Sequence, residues 1–234
     1  MMRFPAKRGI MRPSMKWILC LAALACAPAL AASFPCEKAA TRIEAMICKD
    51  AQVSTLDEHL AQYYAGATAA LADGAACLRD SQRAWLRTVR NKCADAGCLK
   101  QAYLARLAEL HPLQPGATAI RYFELPKGPG LEWIVPPEQD TAAAPPRPNL
   151  PPLVIRGRLL NDLVQGDGFV VQAGDGRKHV LLPSMLVSGA NAERLEMLAK
   201  DAAARFEVRG HGEADSSGIA HFAASRCSFL YRLP

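Results

Sequence analysis

The sequence predicts an α+β chain of two domains, a disulfide-stapled four-helix N-terminal domain followed by a small OB-like β-barrel. Residues 36 to 111 carry apolar side chains at helical spacing, whereas residues 153 to 234 read mainly as strands separated by turn signals. Between them Thr141 to Pro152 holds five prolines in twelve residues, a semi-rigid stretch that can neither continue a helix nor join a central strand. The expected divisions are residues 1–31 as a signal peptide, 32–114 as the helical domain, 115–152 as a hairpin-like segment with the Pro-rich linker, and 153–234 as the barrel.

The first acidic residue is Glu37, and ahead of it the only charged side chains are Arg3, Lys7, Arg8, Arg12 and Lys16. The apolar run from Trp17 to Leu30 is too short to span a bilayer as a helix. It ends in Ala29-Leu30-Ala31, the small-x-small pattern of a signal-peptidase site, so cleavage is expected after Ala31. Met15-Lys16 followed by that run would itself make a signal peptide of ordinary length. Cys26 offers a competing lipid-anchored reading, but Ala23-Leu24-Ala25 before it places leucine one position off the usual one, and soluble export to the periplasm or medium is preferred. Removing residues 1–31 leaves 23 basic against 22 acidic side chains, a net charge of +1. The sequence pI of about 9.0 therefore carries no argument for a nucleic-acid partner, and no second apolar stretch is long enough for a transmembrane helix.

Six cysteines remain after cleavage: Cys36, Cys48, Cys77, Cys93, Cys98 and Cys227. An even number in an oxidising compartment reads as structural disulfides, and the absence of CxxC pairs with histidines at ligand spacing argues against zinc or redox chemistry. A first helix over Glu37 to Lys49 is expected, with Cys36, Ala40, Ile43 and Ile47 along one face. If that helix is continuous, Cys36 and Cys48 lie about 18 Å apart and cannot meet. Each then bridges to one of Cys93 and Cys98, and Cys77 with Cys227 either joins the two domains or stays free.

Thr55 and Glu58 form an expected capping box for the second helix, whose stripe is Leu56, Leu60, Tyr63, Tyr64, Ala67 and Leu71, ended by Asp73-Gly74. A third helix from Ala75 to Cys93 turns Leu78, Trp85, Val89 and Cys93 inward, and a fourth from Cys98 to Leu110 turns Leu99, Tyr103, Leu107 and Leu110 inward. Residues 120 to 136 read as two short strands about a Gly-Pro turn. Leu153 to Leu160, Gly168 to Ala173 and Lys178 to Leu182 follow as strands, then a helix capped by Asn191 with Leu195, Leu198, Ala199 and Ala202 on one face. Ala204 to Glu213 and Ile219 to Leu233 are the last strands. Three strands, a helix and two strands is the element order of an OB-fold.

Within the first domain stand Ser33-Phe-Pro-Cys36, Glu44 four residues before Cys48, Leu56-Asp57, Tyr63-Tyr64, Gln82-Arg-Ala-Trp85-Leu86, Arg90-Asn-Lys-Cys93 and Cys98-Leu99 with Tyr103. Together these resemble the LprI-like lysozyme inhibitor family of bacterial envelope proteins, over residues 33 to 110. The resemblance marks Glu44, Asp57, Gln82, Trp85, Arg90 and Tyr103 as family-motif residues, and implies an exported protein that binds lysozyme by surface complementarity, without a cofactor. Lysozyme works through two carboxylates in a cleft, which a basic protrusion would suit. Arg79, Arg83, Arg87 and Arg90 fall within about 80° of one another on the third helix, and are either that contact surface or a solvated face paired with Asp80 and its neighbours. Trp85 reads as core, Glu44 and Arg90 as an interhelical pair, and Asp57 as a first-turn carboxylate favoured by the helix dipole.

His179, His211 and His221 fall on three expected strands without supporting carboxylates, so no metal site is assigned. Gly166-Asp-Gly168 and Gly174-Asp-Gly176 read as hairpin turns. Ser184 and Ser188 lack a nucleophile-elbow setting and no cysteine has a catalytic context, so no enzyme is expected. The alternative to lysozyme binding is a periplasmic binding module whose barrel recognises a small ligand, an oligosaccharide or an envelope protein.

Overall fold

A computed structural model describes residues 32–115, 120, 123–138, 149–187 and 189–234. The expected signal peptide, its cleavage site, Cys20, Cys26, Ser188 and most of the Pro-rich linker lie outside the described residues. The chain is α+β, with a helical N-terminal region and a barrel of five strands.

The helices are α1 (Arg42–Lys49), α2 (Ala51–Leu71), α3 (Ala75–Thr88) and α4 (Ala96–Leu110). The first starts later than the apolar spacing predicts. Cys36–Lys38 is a single 3₁₀ turn, and α1 begins only after Thr41, whose hydroxyl accepts from the Glu44 N–H while the Glu44 carboxylate accepts from the Thr41 N–H. That break folds Cys36 back onto the helix. It is bonded to Cys48, with the Cα atoms 5.7 Å apart, and the expectation that these two cannot meet fails because the helix between them is not continuous. Cys93 pairs with Cys98 across the turn before α4, and Cys77 of α3 pairs with Cys227 beside the last strand. Among the described residues three bridges fit an oxidising compartment, and no helix is long and apolar enough to cross a membrane.

The start of α2 also moves. Asp50 caps it through the N–H groups of Gln52 and Val53, and Thr55 instead turns its hydroxyl onto the Ala51 carbonyl inside the helix. Leu56, Leu60, Tyr63, Ala67 and Leu71 are buried along its inner face. The third helix stops at Thr88, five residues early, so Val89 is exposed rather than inward. Asp95 caps α4, whose Leu99, Tyr103, Leu107 and Leu110 are fully buried as the spacing predicts.

The strands are β1 (Gly130–Val135), β2 (Pro152–Asp162), β3 (Gly168–Ala173), β4 (Lys178–Leu182), β5 (Phe206–Ala214), β6 (Ala220–Phe222) and β7 (Ser228–Arg232), with α5 (Gly189–Ala199) between β4 and β5. Asn191 therefore lies inside α5 and does not cap it, and Ala202 lies beyond its end. The ring β2–β3–β4–β6–β5 closes on itself, antiparallel except for the β4–β6 pair, while β7 pairs with β5 outside the ring and β1 with β7. Residues 120–136 thus supply one described strand to the sheet, where two were expected.

Two glycines sit where strands change neighbours. Gly157 is opposite both Ala173 of β3 and Phe206 of β5, and a Cβ there would stand 2.0 Å from the Gln172 carbonyl oxygen. Gly212 begins the pairing of β5 with β6, and its Cβ would stand 2.0 Å from the His221 carbonyl oxygen. Only glycine allows backbones this close at a barrel corner.

One buried apolar cluster runs from Ile47 and Leu56 through Leu110 and Ile134 to Phe206 and Leu230, so helices and barrel share a core. The junction also has a polar seam. Arg106, 3% exposed in the last third of α4, donates to Gln82, Ser81 and Glu109. Glu109 in turn accepts from the Tyr231 hydroxyl at 2.8 Å, and Arg209 lies over the Tyr231 ring at 4.3 Å. Burial and the Glu109 charge push the Tyr231 phenol well above its ordinary pKa.

Candidate functional site

Five of the six residues that the resemblance marks line a single cavity of about 190 Å³ in the helical region: Asp57, Gln82, Trp85, Arg90 and Tyr103, with Ser33 among its lining. They come from α2, α3, the turn after α3 and α4, and no two neighbouring elements alone would form the site.

Asp57 organises it. The side chain is 5% exposed and sits in the second turn of α2, not in the first turn that the expected helix start implied. One carboxylate oxygen accepts from the Tyr103 hydroxyl at 2.6 Å; the other accepts from the Ser33 N–H at 2.9 Å and the Ser33 hydroxyl at 2.6 Å. A buried carboxylate holding three donors is satisfied without an ion pair. Burial, followed by the negative charge of Asp57, drives the Tyr103 phenol far above its ordinary pKa, with Arg90 opposing.

Trp85 is half-buried and meets Tyr103 edge to face, the ring centroids 5.6 Å apart, so it is both a core contact and a wall of the cavity. The Gln82 side-chain oxygen accepts from Arg106 at 3.1 Å. Glu44 is the motif residue outside the cavity. Its carboxylate accepts from the Ala40 and Thr41 N–H groups, and these bonds, helped by the more distant Arg90 charge, hold its pKa below the ordinary value. The expected Glu44–Arg90 pair is replaced by the capping box, with Arg90 donating to Asn91 instead.

The arginine flank is shortened. Arg79, Arg83 and Arg87 are exposed at successive turns of α3, but the helix ends before Arg90, which turns away into the cavity wall. Arg83 is paired with Asp80, whereas Arg79 and Arg87 have no ion-pair partner among the described residues.

In the barrel, buried His179 accepts the Ala220 N–H at 2.9 Å and exposed His221 lies 3.4 Å from Asp215. Among the described residues no group of His, Cys, Asp and Glu side chains is placed to hold a metal.

Sequence reasoning missed Arg42, whose guanidinium donates to the carbonyls of Cys93 and Ala94 and ties α1 to the bridged turn. It also missed Arg106, three residues after the inward Tyr103 on the same side of α4, a spacing that was visible. Comparison with protein-family models, curated proteins and solved structures finds no match to this chain.

Proposed function

We propose that the protein is exported and binds lysozyme through its helical region, the exposed arginines of α3 entering the carboxylate-lined cleft of the enzyme. The observation that carries this reading is that Arg79 and Arg87 stand on an exposed helix flank with no acidic partner among the described residues. Guanidinium forks match carboxylates bidentately and lose less on desolvation than an ammonium does. A row of them is suited to occupying a site built around two carboxylates. The resemblance of residues 33 to 110 to LprI-like inhibitors and the three disulfides support the same reading, with export following from the basic-apolar leader.

On this reading the Asp57 cavity is the internal brace of the inhibitor. It locks Ser33, α2, α3 and α4 together and so fixes how the α3 flank is presented. The barrel, which we read as OB-like with its ring order and parallel β4–β6 pair in support, is the platform on which that brace is mounted.

Because helices and barrel share a core, the test uses the whole chain from Ala32. A micromolar excess should slow cell-wall lysis by a c-type lysozyme. R79A/R87A should lose at least tenfold in inhibition with an unchanged unfolding midpoint. Absence of inhibition by the unmodified protein, or full inhibition by the double variant, would overturn the proposal.

A further inference from the structure

We infer that the cleft between α2, β1 and α5 is a binding site for small amphipathic amines, molecules with an apolar body and a cationic, hydrogen-donating head. This site is separate from the α3 flank and does not depend on the lysozyme reading. Its volume is about 800 Å³, within the roughly 300–1,000 Å³ of ligand sites, and it lies at the junction of two structural units where such sites concentrate.

The body of the ligand is set by the walls. On one side α2 presents Gly66, Ala69 and Ala70, a surface with almost no side-chain bulk. Facing elements supply Leu113, Trp133 and Met197. The indole N–H of Trp133 is already bonded to the Asn191 side-chain oxygen at 2.9 Å, so Trp133 has only carbon surface left to offer. Met197 is 52% exposed, an unbranched and polarisable side chain that adapts to an apolar occupant.

The head is set by which polar groups remain uncommitted. Gln114 donates its amide hydrogens to the carbonyls of Tyr63 and Leu110, both at 3.0 Å, which fixes the group and leaves its oxygen as an acceptor beside Gly66. Glu193 is exposed with no partner among the described residues. Glu132 is already held by Arg194 at 3.0 Å and Arg232 at 2.7 Å. Arg194 commits its Nη2 and its charge to Glu132, and its Nε is closed off from solvent. Of the charged residues in the lining, Glu193 is thus the one without an ion-pair partner among the described residues, and the Gln114 oxygen is a further acceptor. An amine head can pair with Glu193, whereas a carboxylate head would meet a lining of two carboxylates, Glu132 and Glu193, against one guanidinium already paired with Glu132.

Calorimetric titration of the whole chain with decylamine, decanoate and decanol, all below their micellar concentrations, tests this. Decylamine should bind saturably and at least tenfold tighter than decanoate. Ala70→Phe, at an exposed helix position, should abolish binding by filling the cleft. Glu193→Gln should weaken decylamine about fivefold, the size of an exposed ion-pair contribution, and leave decanol unchanged. Decanoate binding as tightly as decylamine, no saturable decylamine binding, or no loss in either variant overturns the proposal. Glu193→Gln lies on the surface and keeps the test decisive should Ala70→Phe fail to fold.

Discussion

Removing the three disulfides one at a time should destabilise the protein in the order of the loops they close. Cys77–Cys227 joins residues 150 apart, Cys36–Cys48 residues 12 apart and Cys93–Cys98 residues 5 apart. The chain-entropy relation gives about 5, 3 and 2 kcal/mol for loops of these lengths at 25 °C. The inner Cys93–Cys98 bridge shortens the long loop too little to change its figure. Paired alanine replacements (C77A/C227A, C36A/C48A, C93A/C98A) are suitable because alanine leaves no unsatisfied polar atom at buried Cys77 and Cys93. Urea unfolding followed by fluorescence reports on both regions, since Trp85 lies in α3 and Trp133 in β1. With a slope of about 2–3 kcal/mol per molar, loss of Cys77–Cys227 should lower the midpoint by about 2 M. The loss of Cys93–Cys98 should lower it by under about 1 M. A larger effect from the short bridge than from the long one would refute the reasoning that loop length decides.

Tyr103→Phe removes one of three donors to buried Asp57 and should cost about 1.5–3 kcal/mol, the range for a hydrogen bond to a charged group; thermal unfolding of the variant checks it. In the β5–β6 turn, Asp215 has its pKa lowered to about 2, first by the Ser217 hydroxyl and then by the Ile219 N–H. A depressed folded-state pKa means stability that is present above the ordinary carboxylate range and is lost as pH falls toward 2. Asp215→Asn should therefore lower Tm at pH 6 and converge with the unmodified protein by pH 2. A difference that stays constant across that window would rule the ionised carboxylate out as its source.

The order of helices and strands was legible because both periods are strong here. Leu99, Tyr103, Leu107 and Leu110 follow the helical spacing of α4, and Gly168–Ala173 and Lys178–Leu182 are bounded by glycine turns. The disulfide pairing was misread for a definable reason. Two Thr-x-x-Glu patterns, at Thr41 and Thr55, are both capping boxes by composition, and only one begins a helix. Asp50, five residues ahead of Thr55, had already capped α2, whereas nothing ahead of Thr41 competed for α1. Running the first helix back to Glu37 on the spacing of Cys36, Ala40, Ile43 and Ile47, past the box at Thr41, is what puts Cys36 and Cys48 beyond reach. The affiliation of β1 was hidden because its partner β7 lies almost a hundred residues later. The convergence of Asp57, Gln82, Trp85, Arg90 and Tyr103 depends on three helices and a turn packing together, and in the sequence it was carried only by the family resemblance.

The two proposed surfaces respond differently to the junction. The amine cleft has one wall on α2 and another on α5, and its width is set by what fastens the helices to the barrel. Besides the shared apolar core, that fastening includes the β1–β7 ladder, the Tyr231–Glu109 bond and the Cys77–Cys227 bridge. The α3 arginines stand on one helix and need no second wall. Tyr231→Phe removes the 2.8 Å bond to Glu109 while keeping the ring beneath Arg209, so the core stays filled. It should loosen the junction by about 1–3 kcal/mol. Decylamine affinity should then fall severalfold under conditions where the variant is still fully folded, and lysozyme inhibition should not change. Parallel loss of both activities would mean that the junction positions α3 as well, and that the two surfaces are one functional unit.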